Sequence, residues 1–81
     1  MFAKLFKHEK YGQVLVTKET SDDNEPKIKI RFEIEGAEID FAVGYEKGDK
    51  GFEKRDFYFN NITNEQVAAN VEAVATPLTI E

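Results

Sequence analysis

Cysteine and tryptophan are absent from this 81-residue chain, and histidine occurs once. The one serine is Ser21 and the one histidine is His8. Without cysteine there is no disulfide framework and no thiolate zinc site. A nucleophilic triad would have to join Ser21 and His8 with an acid such as Asp22 or Asp23. Nothing in the sequence sets Ser21 on a strained elbow beside an oxyanion hole. Catalysis is therefore not expected. No apolar run approaches a membrane span. Residues 1–10 interleave lysines with apolar side chains and carry no cleavage pattern, so no secretory leader is read and the cytoplasm is the expected compartment. No cofactor is expected either. Gly44, Gly48 and Gly51 are irregularly spaced and lead into an expected strand, where no helix dipole could hold a phosphate.

A surplus of basic charge is also missing. The formal net charge is −5. It divides unevenly: +3 over residues 1–18, −6 over residues 19–46 and −2 over residues 47–81. General nucleic-acid binders carry a basic surplus, so nucleic acid is not the expected partner. The length suits one small domain, residues 1–81, with a modest core.

Residues 27–43 carry the clearest signal. Ile28, Ile30, Phe32 and Ile34 alternate with Lys27, Lys29, Arg31 and Glu33, the period of a half-buried strand. The alternation resumes after Glu35-Gly36 with Ala37, Ile39, Phe41 and Val43. A two-residue connection sets Ile34 opposite Ala37, Phe32 opposite Ile39, Ile30 opposite Phe41 and Ile28 opposite Val43. All eight apolar residues then share one face, and a slip of one residue would scramble both faces. Gly36 supplies the positive φ of a tight turn; Glu35 is a less comfortable first turn residue than Asn or Asp. On the other face Arg31 falls opposite Asp40, and Glu33 falls opposite Glu38 as a like-charge pair. With Glu35 these carboxylates form an acidic corner. Its carboxylates are too few for a calcium site, and a solvated face offers no desolvated acid for hydrolysis; no metal is expected.

The remaining segments complete an α+β reading. Phe2, Leu5 and Phe6 stand at helical spacing and predict a short amphipathic N-terminal helix, with a strand as the alternative. Residues 11–18 read as a strand. Residues 20–26 form a polar, acidic surface loop without the oxygen spacing of an EF-hand, and Pro26 opens the next strand. Residues 52–59 predict a fourth strand, with Phe57 and Phe59 as its core pair and Tyr58 on the polar face near Asp40 or Ala42. Thr63-Asn64-Glu65-Gln66 fits a capping box. It precedes a helix with an apolar stripe of Val67, Val71 and Val74, with Ala68 and Ala75. Thr76-Pro77 should end that helix, and residues 78–81 could add an edge strand. The expected architecture is a three- to four-stranded antiparallel meander with a C-terminal helix on one face.

Lys50-Gly51-Phe52 opens like the RNA-contacting strand of RRM or cold-shock modules, but Glu53 and Lys54 then break the pattern. The function expected is a non-catalytic protein-binding module with an unidentified protein partner. It would act through the charged sheet face or an edge strand, with Arg31, Glu33, Glu35, Glu38, Asp40 and Tyr58 as candidate contacts. An acidic inhibitor that imitates nucleic acid is a special case. The alternatives are a homo-oligomer paired through strand edges or an N-terminal arm, and a single-strand nucleic-acid binder using Lys50, Phe52, Lys54, Arg55 and Tyr58.

Overall fold

The computed structural model describes residues 2–79. Four strands, β1 (Ala3–His8), β2 (Gly12–Thr20), β3 (Pro26–Ile34) and β4 (Ala37–Gly44), precede two helices, α1 (Asp49–Asn61) and α2 (Asn64–Thr79). The strands form an antiparallel meander in the order β1-β2-β3-β4, so β1 and β4 are the edges. The α+β meander with a C-terminal helix is thus present.

The β3–β4 hairpin has the register that its alternation dictates. Ile34 faces Ala37, Phe32 faces Ile39, Ile30 faces Phe41 and Ile28 faces Val43. Its turn is formed by Glu35 and Gly36 at φ 49° and 86°. Two successive positive φ values match the twist of the flanking strands. The capping box also forms. The Thr63 amide donates to Gln66 Oε1 at 2.9 Å, and the Gln66 amide donates to Thr63 Oγ1 at 3.2 Å. Behind it, Val67, Val71 and Ala75 are buried along one stripe of α2.

The N-terminal segment is strand β1, the alternative to the helix. Lys4 explains the misleading spacing. It lies on the core side of β1, where its ammonium donates to the Phe59 carbonyl at 2.7 Å and sits 5.0 Å from the Phe59 ring centre. A lysine stem spans the core rim while its charge finds a partner. An apolar-only pattern therefore misses the period of two.

Residues 52–59 are not a strand. They belong to α1, whose buried residues are Gly51, Arg55 and Phe59. That spacing of four is helical. Two of the three positions are occupied by Gly and Arg, which carry no apolar signal. Phe57 turns outward and is 71% exposed, whereas Phe59 is buried. Gly51 is required by contact: a Cβ there would collide with the Glu46 carbonyl oxygen.

Helix α2 continues through Pro77 to Thr79. A proline in the last turn removes one backbone donor. Nearby, the Thr76 hydroxyl donates to the Glu72 carbonyl at 2.7 Å. Leu78 and Thr79 are thus helical rather than an edge strand, and residues 80–81 lie outside the described residues.

The Ser21–Glu25 loop is organised by Ser21. Its amide donates to the Glu25 carbonyl at 2.9 Å, and its hydroxyl accepts from the Glu25 amide at 3.1 Å and hydrogen-bonds the Asp23 carboxylate. The core is formed by Val14, Val16, Ile28, Ile30 and Phe32 of the sheet against Phe59, Ile62, Val67, Val71 and Ala75 of the helical layer.

Candidate functional site

Both helices lie on one side of the sheet: α1 packs on β2 and β3, and α2 on β1 and β3. The core side chains of β2 and β3 all point that way. Strand alternation sends the intervening residues to the opposite, outer face.

The register orders this outer face into rows. One row runs Leu5, Leu15, Arg31 and Asp40 across all four strands. Toward the β3–β4 turn, Lys7 pairs with Gln13 and Glu33 pairs with Glu38. In the other direction, Ala3 pairs with Thr17, which faces Lys29, which faces Ala42. Leu5, Gln13, Leu15, Arg31, Glu33 and Glu38 border an open depression of about 390 Å³. Leu5 is 61% exposed in it. The depression combines an apolar floor at its β1–β2 side with convergent charges at its β3–β4 side.

Arg31 organises those charges. Its Nε donates to Asp40 Oδ1 at 2.8 Å and lies 3.7 Å from Glu38 Oε1. The hydrogen bond from Arg31 holds the Asp40 carboxyl below the ordinary aspartate range, against the opposing effect of desolvation. Reciprocally, the bond to Asp40 and the charges of Asp40 and Glu38 raise the Arg31 guanidinium. Farther along, Lys29 Nζ stands 3.5 Å from Glu19 Oε1. The outer face thus alternates in sign, and the acidic corner has a guanidinium within it.

Of the sequence-derived contacts, Arg31, Glu33, Glu35, Glu38 and Asp40 lie together on and beside this face. Tyr58 does not. It belongs to α1, on the core side, where its hydroxyl accepts a hydrogen bond from Asn70 Nδ2 at 3.1 Å. The expected basic and aromatic strand at residues 50–58 is likewise replaced by helix. Phe52 lies 4.9 Å below the Arg55 guanidinium, and Arg55 is buried. No flat stacking row results.

His8 and Ser21 sit beyond opposite ends of β2: His8 pairs with Gly12 at one end and Ser21 follows Thr20 at the other. His8 is buried, and its Nδ1 accepts from the Lys10 and Tyr11 amides at 3.0 and 3.3 Å. Its Nε2 lies 3.4 Å from Glu72 Oε1. Bound in this way, His8 closes the β1–β2 turn and ties it to α2. Among the described residues, no group of three or more His, Asp or Glu side chains converges as metal ligands, and no helix is long and apolar enough to cross a membrane.

Sequence reasoning did not single out Leu5 and Leu15 as outer-face residues. A signal was present at Val14-Leu15-Val16, where an apolar residue occupies the out-of-phase position of an alternating strand. Comparison of the chain with family models, with curated proteins and with solved structures returns no match.

Proposed function

We propose that this chain is a non-catalytic protein-binding domain whose contact surface is the outer face of the sheet. The observation that carries this reading is the sidedness of the fold. Both helices cover one face, while the other presents Leu5 and Leu15 beside Arg31, Glu33 and Glu38 around one depression, with Asp40 paired to Arg31 next to it. An apolar floor with a charged flank is the composition of a small interface: the leucines supply burial and the charges supply register. The partner surface that suits it has an apolar projection for the leucine side and a basic patch for Glu33, Glu35 and Glu38. The setting proposed is the cytoplasm.

The nucleic-acid-imitating form of this reading fits less well. Imitation calls for carboxylates free to replace phosphates. Here Arg31 is bonded to Asp40 and stands near Glu38, and Lys27 and Lys29 share the strand. Alternating sign favours a protein surface.

The test is affinity capture from the native host with the full tagged chain and matched variants. Leu15→Lys, and Glu33→Lys with Glu38→Lys, should each weaken capture of the same partner about ten-fold or more. Glu53→Lys, on the exposed side of α1, should leave capture unchanged. Equal capture by all variants would remove the outer face as the contact surface.

A further inference from the structure

We infer that β4 is a self-complementary edge through which two copies of this chain pair antiparallel, joining their sheets into one of eight strands. The inference is independent of which partner the outer face binds.

Strand β4 is less covered than its neighbour. Ile28, Ile30 and Phe32 of β3 are almost wholly buried, yet their partners Val43, Phe41 and Ile39 are not. Val43 is 39% exposed, and Ile39 and Phe41 are half-buried at the core rim. The helices pack mainly on β1, β2 and β3, so the inward row of β4 has cover on one flank only. The β4 edge carries neither lysine nor proline, and its pairing with β3 runs without a bulge from Ala37 to Gly44. Lysine, proline and bulges usually protect an edge; of the charged side chains that also do so, β4 has Glu38 and Asp40 on its outer face. Strand β1, by contrast, carries Lys4 and Lys7.

The backbone direction is fixed by the hairpin. In a two-residue hairpin the residues flanking the turn exchange both hydrogen bonds, so Ala37 and every second residue after it turn their amides and carbonyls to β3. The Tyr45 amide, in the same phase, donates to the Pro26 carbonyl at 2.9 Å. Glu38, Asp40, Ala42 and Gly44 therefore direct their backbone groups to the open edge.

A second β4 fits this edge in a register centred on Phe41. Asp40 then faces Ala42 of the partner subunit, and Glu38 faces Gly44 of the partner subunit. No carboxylate meets a carboxylate directly. The small residues have lysines behind them: Ala42 neighbours Lys29 and Gly44 neighbours Lys27 on β3. Each acidic side chain thus approaches the other copy's lysine row across an alanine or a glycine. Glu25, whose carboxylate lies near Gly44, and Glu19, 3.5 Å from Lys29, are groups of opposing sign beside the lysine row, and the two Asp40 side chains are diagonal neighbours across the axis. On the core side, Ile39 faces Val43 of the partner subunit, and the two Phe41 rings meet at the axis. One patch contacts itself, as a closed two-fold interface requires. The direct pairs, acid against alanine or glycine and apolar against apolar, favour a second copy over an unrelated strand.

Sedimentation equilibrium of the full chain from micromolar to millimolar concentration tests this, with amide exchange alongside. A monomer–dimer equilibrium is expected, in which the Glu38, Asp40, Ala42 and Gly44 amides gain protection as concentration rises. Ala42→Pro deletes an edge-facing donor without removing a β3 bond and should be monomeric. Should Ala42→Pro disturb folding, the charge variants decide the matter. Ala42→Lys places an ammonium opposite Asp40 of the partner subunit and should tighten the dimer; Ala42→Glu should loosen it, each by roughly 2- to 30-fold because symmetry doubles the cross-strand pair. A monomer at millimolar concentration, an Ala42→Lys dimer no tighter than the Ala42→Glu dimer, or open polymers joining β1 to β4 would each overturn the inference.

Discussion

Arg55 Nη1 donates to the Glu19 carbonyl at 2.9 Å across 36 residues of chain, fastening α1 to the end of β2. The same guanidinium donates from Nε to Asp56 Oδ1 at 3.0 Å and covers the Phe52 ring. Burial alone would raise the Asp56 carboxyl, but the Arg55 hydrogen bond and the Arg55 and Lys18 charges hold it below the usual range. Arg55→Ala would leave the Glu19 carbonyl without this donor. A stability loss of about 1.5–3 kcal/mol is expected in urea unfolding, the range for hydrogen bonds to charged groups. Arg55→Lys keeps the charge but loses the planar fork, so it should recover only part of the loss. Full recovery would show that charge alone, not the fork, fastens the helix.

Phe57 and Phe59 separate the helical reading of this segment from a strand reading, because a strand would bury both. Phe59 is 1% exposed and Phe57 is 71% exposed. Phe59→Ala should cost about 3–5 kcal/mol, as for other buried aromatics. Phe57→Ala should stay within about 0.5 kcal/mol of the parent. Comparable losses at both positions would contradict α1. Gly51→Ala supplies an independent check: its methyl would run into the Glu46 carbonyl. A loss of about 1–3 kcal/mol is expected for such overpacking.

These residues also show where the sequence was legible. The β3–β4 register could be read because every core position there is apolar and every outer position except Ala42 is charged or glycine. The start of α2 could be read because Thr63 and Gln66 carry the capping chemistry in their side chains. In α1 the positions facing the core include Gly51 and Arg55. One is there for close approach and the other for long-range hydrogen bonding, and neither appears in a count of apolar residues. Lys4 has the same effect in β1. The five charged candidate residues of the outer face follow from the hairpin period alone. The placement of Tyr58 depended on a fourth strand at residues 52–59, and it failed with that strand.

The Glu35-Gly36 turn holds two residues in the left-handed region, at φ 49° and 86°. Glutamate tolerates this poorly, whereas asparagine visits it readily. Glu35→Asn should raise stability by up to about 1 kcal/mol, measured as a shift in the thermal midpoint. Gly36→Ala should cost about 1–2 kcal/mol through backbone strain alone, since a Cβ there meets no neighbour within 4 Å. Glu35→Asn also removes one carboxylate from the acidic corner. A variant that is more stable yet binds its partner less well would separate the turn's two contributions. A destabilised Glu35→Asn variant would argue against the turn geometry.

Asp40 gives the fold a defined acid dependence. The Arg31 hydrogen bond lowers its folded-state pKa from the ordinary value of 3.8. A carboxyl lowered by folding adds stability that is present above the unfolded pKa and is lost as pH falls through the folded one. The Arg31–Asp40 contribution should therefore be complete near neutrality and disappear in strong acid, below the range where unfolded aspartate titrates. Carboxyl-detected NMR should place the Asp40 midpoint below 3.8, and Arg31→Gln should return it toward that value. Asp40→Asn should be less stable than the parent near neutrality and equal to it in strong acid. Because both side chains remain partly exposed, raising the salt concentration should shrink the difference. An Asp40 midpoint unaffected by Arg31→Gln would show that the 2.8 Å contact does not persist in solution, and Arg31 would then stand free to meet a partner.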